Sequence, residues 1–195
     1  MDEMKGQLER FIRSKVKYPK EDEITEILDC FEIRSLKKGA YFKEPFTKSN
    51  ELGFLVEGSL RLVILKKNGE EATARIIQEN TIIADVFSIR DDKVTPIGLQ
   101  CVSDISILAA PLHKIHPLLH TNLALNITMR EHITERALEL GENYLLFISG
   151  SAKERYQFIL EKNPKLLEKF PLRFIASMIG ITPVQLSRIR KKISD

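Results

Sequence analysis

The stretch IASMIGITPVQLSRIRKK, residues 175–192, decides how the rest of the chain is read. Ile175, Ala176 and Ile179 recur at helical spacing and define a short apolar face. Gly180 follows, the residue that most readily takes positive φ and ends a helix. Thr182 is a good N-cap and Pro183 a good first helical residue. Leu186, Ile189 and Ile193 then form the inner face of a second helix. Ala176, four residues before the glycine, lets the two helices approach closely. Two short helices joined by such a turn are the pattern of a DNA-binding helix-turn-helix.

The outward residues of the second helix suit a nucleic acid. They are Val184, Gln185, Ser187, Arg188, Lys191 and Lys192. Arg188, one turn in, has the fork that fits guanine O6 and N7, and Gln185 fits adenine or a phosphate. Arg190, Lys191 and Lys192 are placed for phosphates, whose contacts position rather than specify. The candidate DNA-binding set is therefore Thr182, Val184, Gln185, Ser187, Arg188, Arg190, Lys191 and Lys192. Charge distribution agrees. Net charge is +3, yet residues 151–195 carry ten basic and four acidic residues, so the body before them is mildly acidic. A basic tail on an acidic body points to a polyanion partner.

Working toward the N-terminus, Ser149-Gly150-Ser151 reads as a hinge. Before it, residues 118–148 repeat apolar positions at helical spacing, with Leu119, Leu123, Ile127, Ile133, Ala137, Leu140, Tyr144 and Ile148 among them. A helix of about thirty residues is about 45 Å long. That exceeds the height of a small barrel, so part of its stripe calls for a second copy of the same helix. From Ile33 to Ala110 the pattern is short strands. Leu52–Val56, Leu60–Leu65, Ala72–Ile77, Ile82–Ile83, Leu99–Val102 and Ile105–Leu108 are separated by turn signals, as in a β-sandwich or barrel. Asn68-Gly69 marks a hairpin. Residues 88–96 read as an exposed loop. Helices are expected over Asp2–Val16 and Glu21–Phe31. There is no internal repeat and no low-complexity segment.

Several functions are argued against. Residues 33–110 hold no histidine, which argues strongly against a His-ligated metal enzyme of the cupin kind. No nucleophile elbow, Walker loop or HExxH is present, and the chain is read as no enzyme. His113, His116 and His120 lie close in sequence, but Pro117 interrupts them and no Asp, Glu or Cys completes a set; they are read as surface or cap residues, with no metal and no cofactor. Cys30 and Cys101 are far apart and read as reduced thiols. The N-terminus lacks the apolar core of a signal peptide, and no apolar run approaches the roughly 20 residues that span a bilayer. A cytoplasmic protein without a membrane partner is expected.

The whole chain from about Ile24 resembles the superfamily of the cyclic-AMP receptor protein and the fumarate-nitrate reduction regulator (Crp/Fnr). Residues 151–156 and 175–192 carry the close match; 36–39, 53–61 and the Asn-Gly turn carry a looser one. The resemblance implies an α+β chain: an N-terminal jelly-roll β-barrel of the cyclic-nucleotide-binding kind (1–116), a dimerisation helix (117–148) and a C-terminal helix-turn-helix (151–195), winged-helix-like with a truncated wing, since the chain stops right after the recognition helix. It further implies a homodimeric transcription regulator bound to double-stranded DNA and gated by a small-molecule effector. The alternative is a sensor-fold small-molecule or protein-interaction module that does not read DNA.

Two family features are altered. Where nucleotide-binding members hold ribose with Gly-Glu and the cyclic phosphate with Arg, this sequence has Ala84-Asp85 and Val94-Thr95. Asp85, Arg90 and Thr95 are the candidate effector-pocket residues, and cyclic AMP is expected to bind weakly or not at all. The four thiolates of an iron–sulfur cluster are missing. Phosphate contacts usually helped by a wing fall to Arg173, Lys153 or Arg155. Phe42, Phe46, Phe54 and Phe87 are candidates to fill the barrel.

Overall fold

The computed structural model describes residues 2–194; Met1 and Asp195, the outermost residues of the first and last expected units, lie outside it. Helix α1 (Asp2–Lys15) and helix α2 (Glu21–Asp29) come first. Leu8 and Ile12 bury one side of α1, with Val16 buried just past its end, and Ile24 and Ile27 bury one side of α2. Eight strands follow: β1 (Glu32–Leu36), β2 (Tyr41–Lys43), β3 (Glu51–Glu57), β4 (Ser59–Leu65), β5 (Glu71–Gln78), β6 (Thr81–Ile83), β7 (Ile97–Cys101) and β8 (Ile105–Pro111). They form two antiparallel four-stranded sheets, ordered β1-β8-β3-β6 and β2-β7-β4-β5. This is the strand order of a jelly roll. Gly69 takes φ +82° in the β4–β5 turn, where the Asn-Gly pair predicts it.

Leu55, Leu60, Ile77, Ile83, Leu99, Cys101, Ile105 and Ile107 fill the space between the sheets. Phe42 packs against this cluster. Phe54 is fully buried, but toward α1 and α2. Phe46 and Phe87 are exposed and fill nothing. Between β6 and β7 the expected loop contains a short helix, α3 (Val86–Asp91), started by the Asp85 carboxylate accepting from the Ser88 amide at 3.2 Å.

The long helix begins later than the apolar pattern implies. Pro117 lies inside a separate helix, α4 (Leu112–Thr121), and α5 runs from Leu123 to Ser149. Asn122 makes the break: its Oδ1 accepts the Leu125 amide at 2.9 Å and caps α5. A side chain that satisfies an orphan amide favours a new start over continuation. The buried residues of α5 are Ala124, Leu125, Thr128 and His132, all near its start. From Ile133 onward, Leu138, Leu140, Tyr144, Leu145, Phe147 and Ile148 are each more than half exposed.

Four helices complete the described residues: α6 (Ala152–Lys162), α7 (Leu166–Lys169), α8 (Leu172–Met178) and α9 (Pro183–Ser194). Ser151 caps α6 reciprocally with Glu154, in keeping with a break at 149–151. The helices share a core of Tyr156, Leu166, Phe170, Phe174, Ile175, Ala176, Ile179 and Leu186, and Ile76 of β5 belongs to the same core. No helix among the described residues is long and apolar enough to cross a membrane.

Candidate nucleic-acid interface

Helices α8 and α9 meet through a turn with the expected parts. Ile175 and Ala176 of α8 and Leu186 of α9 are fully buried. Gly180 takes φ +70°, and the Ile181 amide donates back to the Ala176 carbonyl at 3.0 Å. A β-carbon at position 180 would come within 2.8 Å of the Phe147 ring, so both the backbone and the space require glycine. Thr182 Oγ1 accepts the Gln185 amide at 3.2 Å, and Gln185 Oε1 accepts the Thr182 amide at 2.9 Å. This reciprocal capping box fixes the start of α9.

The capping box changes the reading of two candidate residues. Thr182 and Gln185 hold the helix start, and the Gln185 carbonyl is already engaged. Val184, Ser187, Arg188, Arg190, Lys191 and Lys192 are exposed on α9. Lys191 and Lys192 lie in its last turn, where cations complement the helix dipole. Ile193, expected on the inner face, is 37 % exposed, because the core closes at Ile189. Among the described residues no strand follows α9. Arg173 is exposed and stacks on Phe174. Arg155 stacks on Phe147, its guanidinium carbon 4.6 Å from the ring centre.

Helix α8 is docked on the sheet, which leaves α9 outermost. The Thr73 amide of β5 donates to Ser177 Oγ at 2.8 Å. Arg61 of β4 is buried, donates to Gln100 Oε1 at 2.8 Å and to Thr73 Oγ1 at 3.1 Å, and lies over the Phe174 ring at 4.5 Å. Asn163 Nδ2 donates to Gln78 Oε1. No local pattern announces these contacts: Thr73 and Ser177 are 104 residues apart.

The structure brings Asp85 and Thr95 together but not Arg90. Lys43 Nζ lies 2.8 Å from Asp85 Oδ2, donates to Thr95 Oγ1 at 2.8 Å and to the Ile97 carbonyl at 2.7 Å. Thr95 Oγ1 also donates to Asp85. The Lys43 and Asp85 side chains are 4 % and 0 % exposed. Burial by itself raises the Asp85 pKa, but hydrogen bonds from Lys43, Thr95 and the Ser88 amide outweigh it and hold the carboxyl below its ordinary value. Arg90 is 85 % exposed beside Asp91. Asp85 and Thr95 thus belong to a buried ion-pair cluster with Lys43, and Arg90 lies apart from it. Lys43 carries no signal in the sequence, since it is one lysine among many on a short strand.

No family model matches the chain, and no curated protein matches it. Solved structures match it over most of its length. It is similar to the c-di-GMP responsive global regulator CLP of Xanthomonas campestris (TM-score 0.72, 12 % identity, 90 % of this chain and 92 % of that one). It is similar also to FixK2 of Bradyrhizobium japonicum (TM-score 0.71, 14 % identity, 84 % of each chain). A third is a Eubacterium rectale protein described as a transcriptional regulator of the Crp/Fnr family (TM-score 0.69, 16 % identity, 90 % of this chain and 83 % of that one). The chain has the Crp/Fnr fold: jelly roll, long helix and helix-turn-helix in one order.

Proposed function

We propose that the protein is a DNA-binding transcription regulator that reads an inverted repeat as a homodimer. The single observation that carries this is α9: a helix fixed by its capping box, with Arg188, Lys191 and Lys192 on an exposed outer face. Arg188 reads a base edge, while Lys191 and Lys192 take phosphates. Its similarity to CLP, FixK2 and the Eubacterium rectale protein supports the same reading.

The partner of α5 is a second copy of the chain. Ile133, Ala137, Leu140, Tyr144 and Phe147 alternate steps of four and three, the spacing of a two-helix seam. Four of these five are apolar side chains more than half exposed in the single chain. Two-fold pairing there sets two α9 helices for half-sites about one helical turn apart. The three units, 1–116, 117–148 and 151–195, act as sensor, dimer seam and reader, with the break at residues 149–151 as pivot.

Selection of genomic fragments by the purified protein, beside Arg188→Ala, tests the reading. Enrichment of an inverted repeat by the native protein alone is expected. Failure of both proteins across a range of salt overturns it. The competing reading, in which the basic tail docks an acidic protein, predicts no steep salt dependence on DNA and no loss on removing Lys191.

A further inference from the structure

Arg75 of β5, Arg136 of α5 and Arg155 of α6 line one cleft of about 470 Å³ between the sheet, α5 and α6. The Arg75 and Arg136 side chains are only 26 % and 18 % exposed. Burial pushes both guanidinium pKa values down to about 10. They share one carboxylate: Glu139 lies against Arg136 and 3.8 Å from Arg75. Arg155 adds a third guanidinium, whose Nε is buried with no hydrogen-bond partner among the described residues. Of the other acids on the cleft, Glu142 is engaged by Lys162 at 3.0 Å, and Glu79 is exposed.

Three guanidiniums against one shared carboxylate leave an excess of half-buried positive charge, which is unfavourable until an anion offsets it. The planar fork of arginine matches a carboxylate or phosphate with two parallel hydrogen bonds. The rest of the wall is apolar, with Leu140, Leu146, Phe158, Ile159, Met178 and Ile179. Its volume falls within the roughly 300–1,000 Å³ of small-molecule sites.

We propose that this cleft binds a small organic oxyanion, a phosphate or carboxylate carried on an apolar body. The guanidiniums of Arg75, Arg136 and Arg155 take the charged group, and Leu146, Phe158 and Ile159 take the body. The site is distinct from the buried Lys43–Asp85–Thr95 cluster. Its walls come from β5, α5, α6 and α8, so a bound anion ties the helix-turn-helix end to the sheet. That consequence for DNA reading rests on the function proposed above; the binding itself does not.

Isothermal titration calorimetry of the full chain, without DNA and at fixed ionic strength, tests it with phenyl phosphate and phenylacetate. One saturable site per chain is expected for at least one of them, and the tighter probe identifies the charged group. Inorganic phosphate, which lacks the apolar body, binds about tenfold more weakly. Arg136→Gln weakens binding by about tenfold or more, and Lys67→Gln, in the β4–β5 turn, leaves it unchanged. Glu139→Gln removes the internal competitor and tightens binding, a change of sign that a folding defect does not produce. Absence of saturable binding by both the native chain and Glu139→Gln overturns the proposal, as does binding that Arg136→Gln leaves intact. DNA selection is a separate assay, so either proposal can fail alone.

Discussion

The Thr73 amide and Ser177 Oγ, 2.8 Å apart, join strand β5 to α8, the first helix of the helix-turn-helix. Thr73 is almost fully buried, so its amide has no water to fall back on. Removing a partner from a buried donor costs about 1–3 kcal/mol. Ser177→Ala is expected to loosen α8 from β5 by that amount while leaving the jelly roll folded. Native-state hydrogen exchange at the Thr73 amide measures it directly; unchanged protection would show that the bond does not hold the docked arrangement.

Gly180→Ala combines an unfavourable backbone with a clash on Phe147. A non-glycine residue in this region costs about 1–3 kcal/mol from the backbone alone. Thermal unfolding followed by circular dichroism should show the helix-turn-helix end melting earlier than in the native protein, with DNA selection lost in parallel. Gly141, exposed on α5 with open space around it, is the control: Gly141→Ala is expected to be neutral or stabilising, by up to about 1 kcal/mol.

Breaking the Lys43–Asp85 pair from one side strands a buried charge. Asp85→Asn is expected to cost about 3–5 kcal/mol in urea unfolding, whereas Lys43→Met with Asp85→Leu recovers most of it. The Asp85 carboxyl titrates below its unfolded value. Its contribution is therefore complete above the ordinary aspartate pKa and is lost as pH falls through the folded one. An Asp85→Asn protein whose stability matches the native one at neutral pH would refute the assignment.

His132 supplies a second pH dependence, at higher pH. Burial, then the charges of Arg136 and Arg75, push its pKa down to about 4. The unfolded chain, with an ordinary value near 6.5, binds the proton first. Stability linked to His132 is complete above about pH 6.5 and is lost as pH falls toward about 4, with an upper size of about 3 kcal/mol. Urea unfolding at pH 7 and pH 5 should show this loss, and His132→Leu should remove it. Equal pH slopes in the two proteins would exclude His132 as the source.

Tyr144→Glu places a charge on the exposed apolar face of α5 that the proposed dimer would bury. Sedimentation equilibrium is expected to show dimer dissociation strengthened by about 2 kcal/mol. A native protein that is monomeric at all concentrations would remove the basis for the two-fold site.

The two helices and the turn of residues 175–192 were legible in the sequence because their signals are local. A glycine at positive φ, a Thr-x-x-Gln box and an apolar face all lie within about twenty residues. The strands of the jelly roll were legible for the same reason, through period and turn residues. The break at Asn122 was not, because the apolar stripe runs on through it and only the capping bond shows where one helix ends. The capping role of Gln185 was not legible either: its side chain can cap a helix or meet a base, and only the geometry shows its Oε1 accepting the Thr182 amide.

By itself the sequence determined the order of the main strands and helices and the basic outer face of α9, since these follow from propensities and periods along the chain. Tertiary structure alone decided what distant charges do. Lys43 meets Asp85 across a strand–loop contact and buries both charges together. Arg75, Arg136 and Arg155, scattered over three elements, converge on another cleft. Electrostatic energy depends on separation in space and on burial, and neither is written in the spacing of residues along the chain.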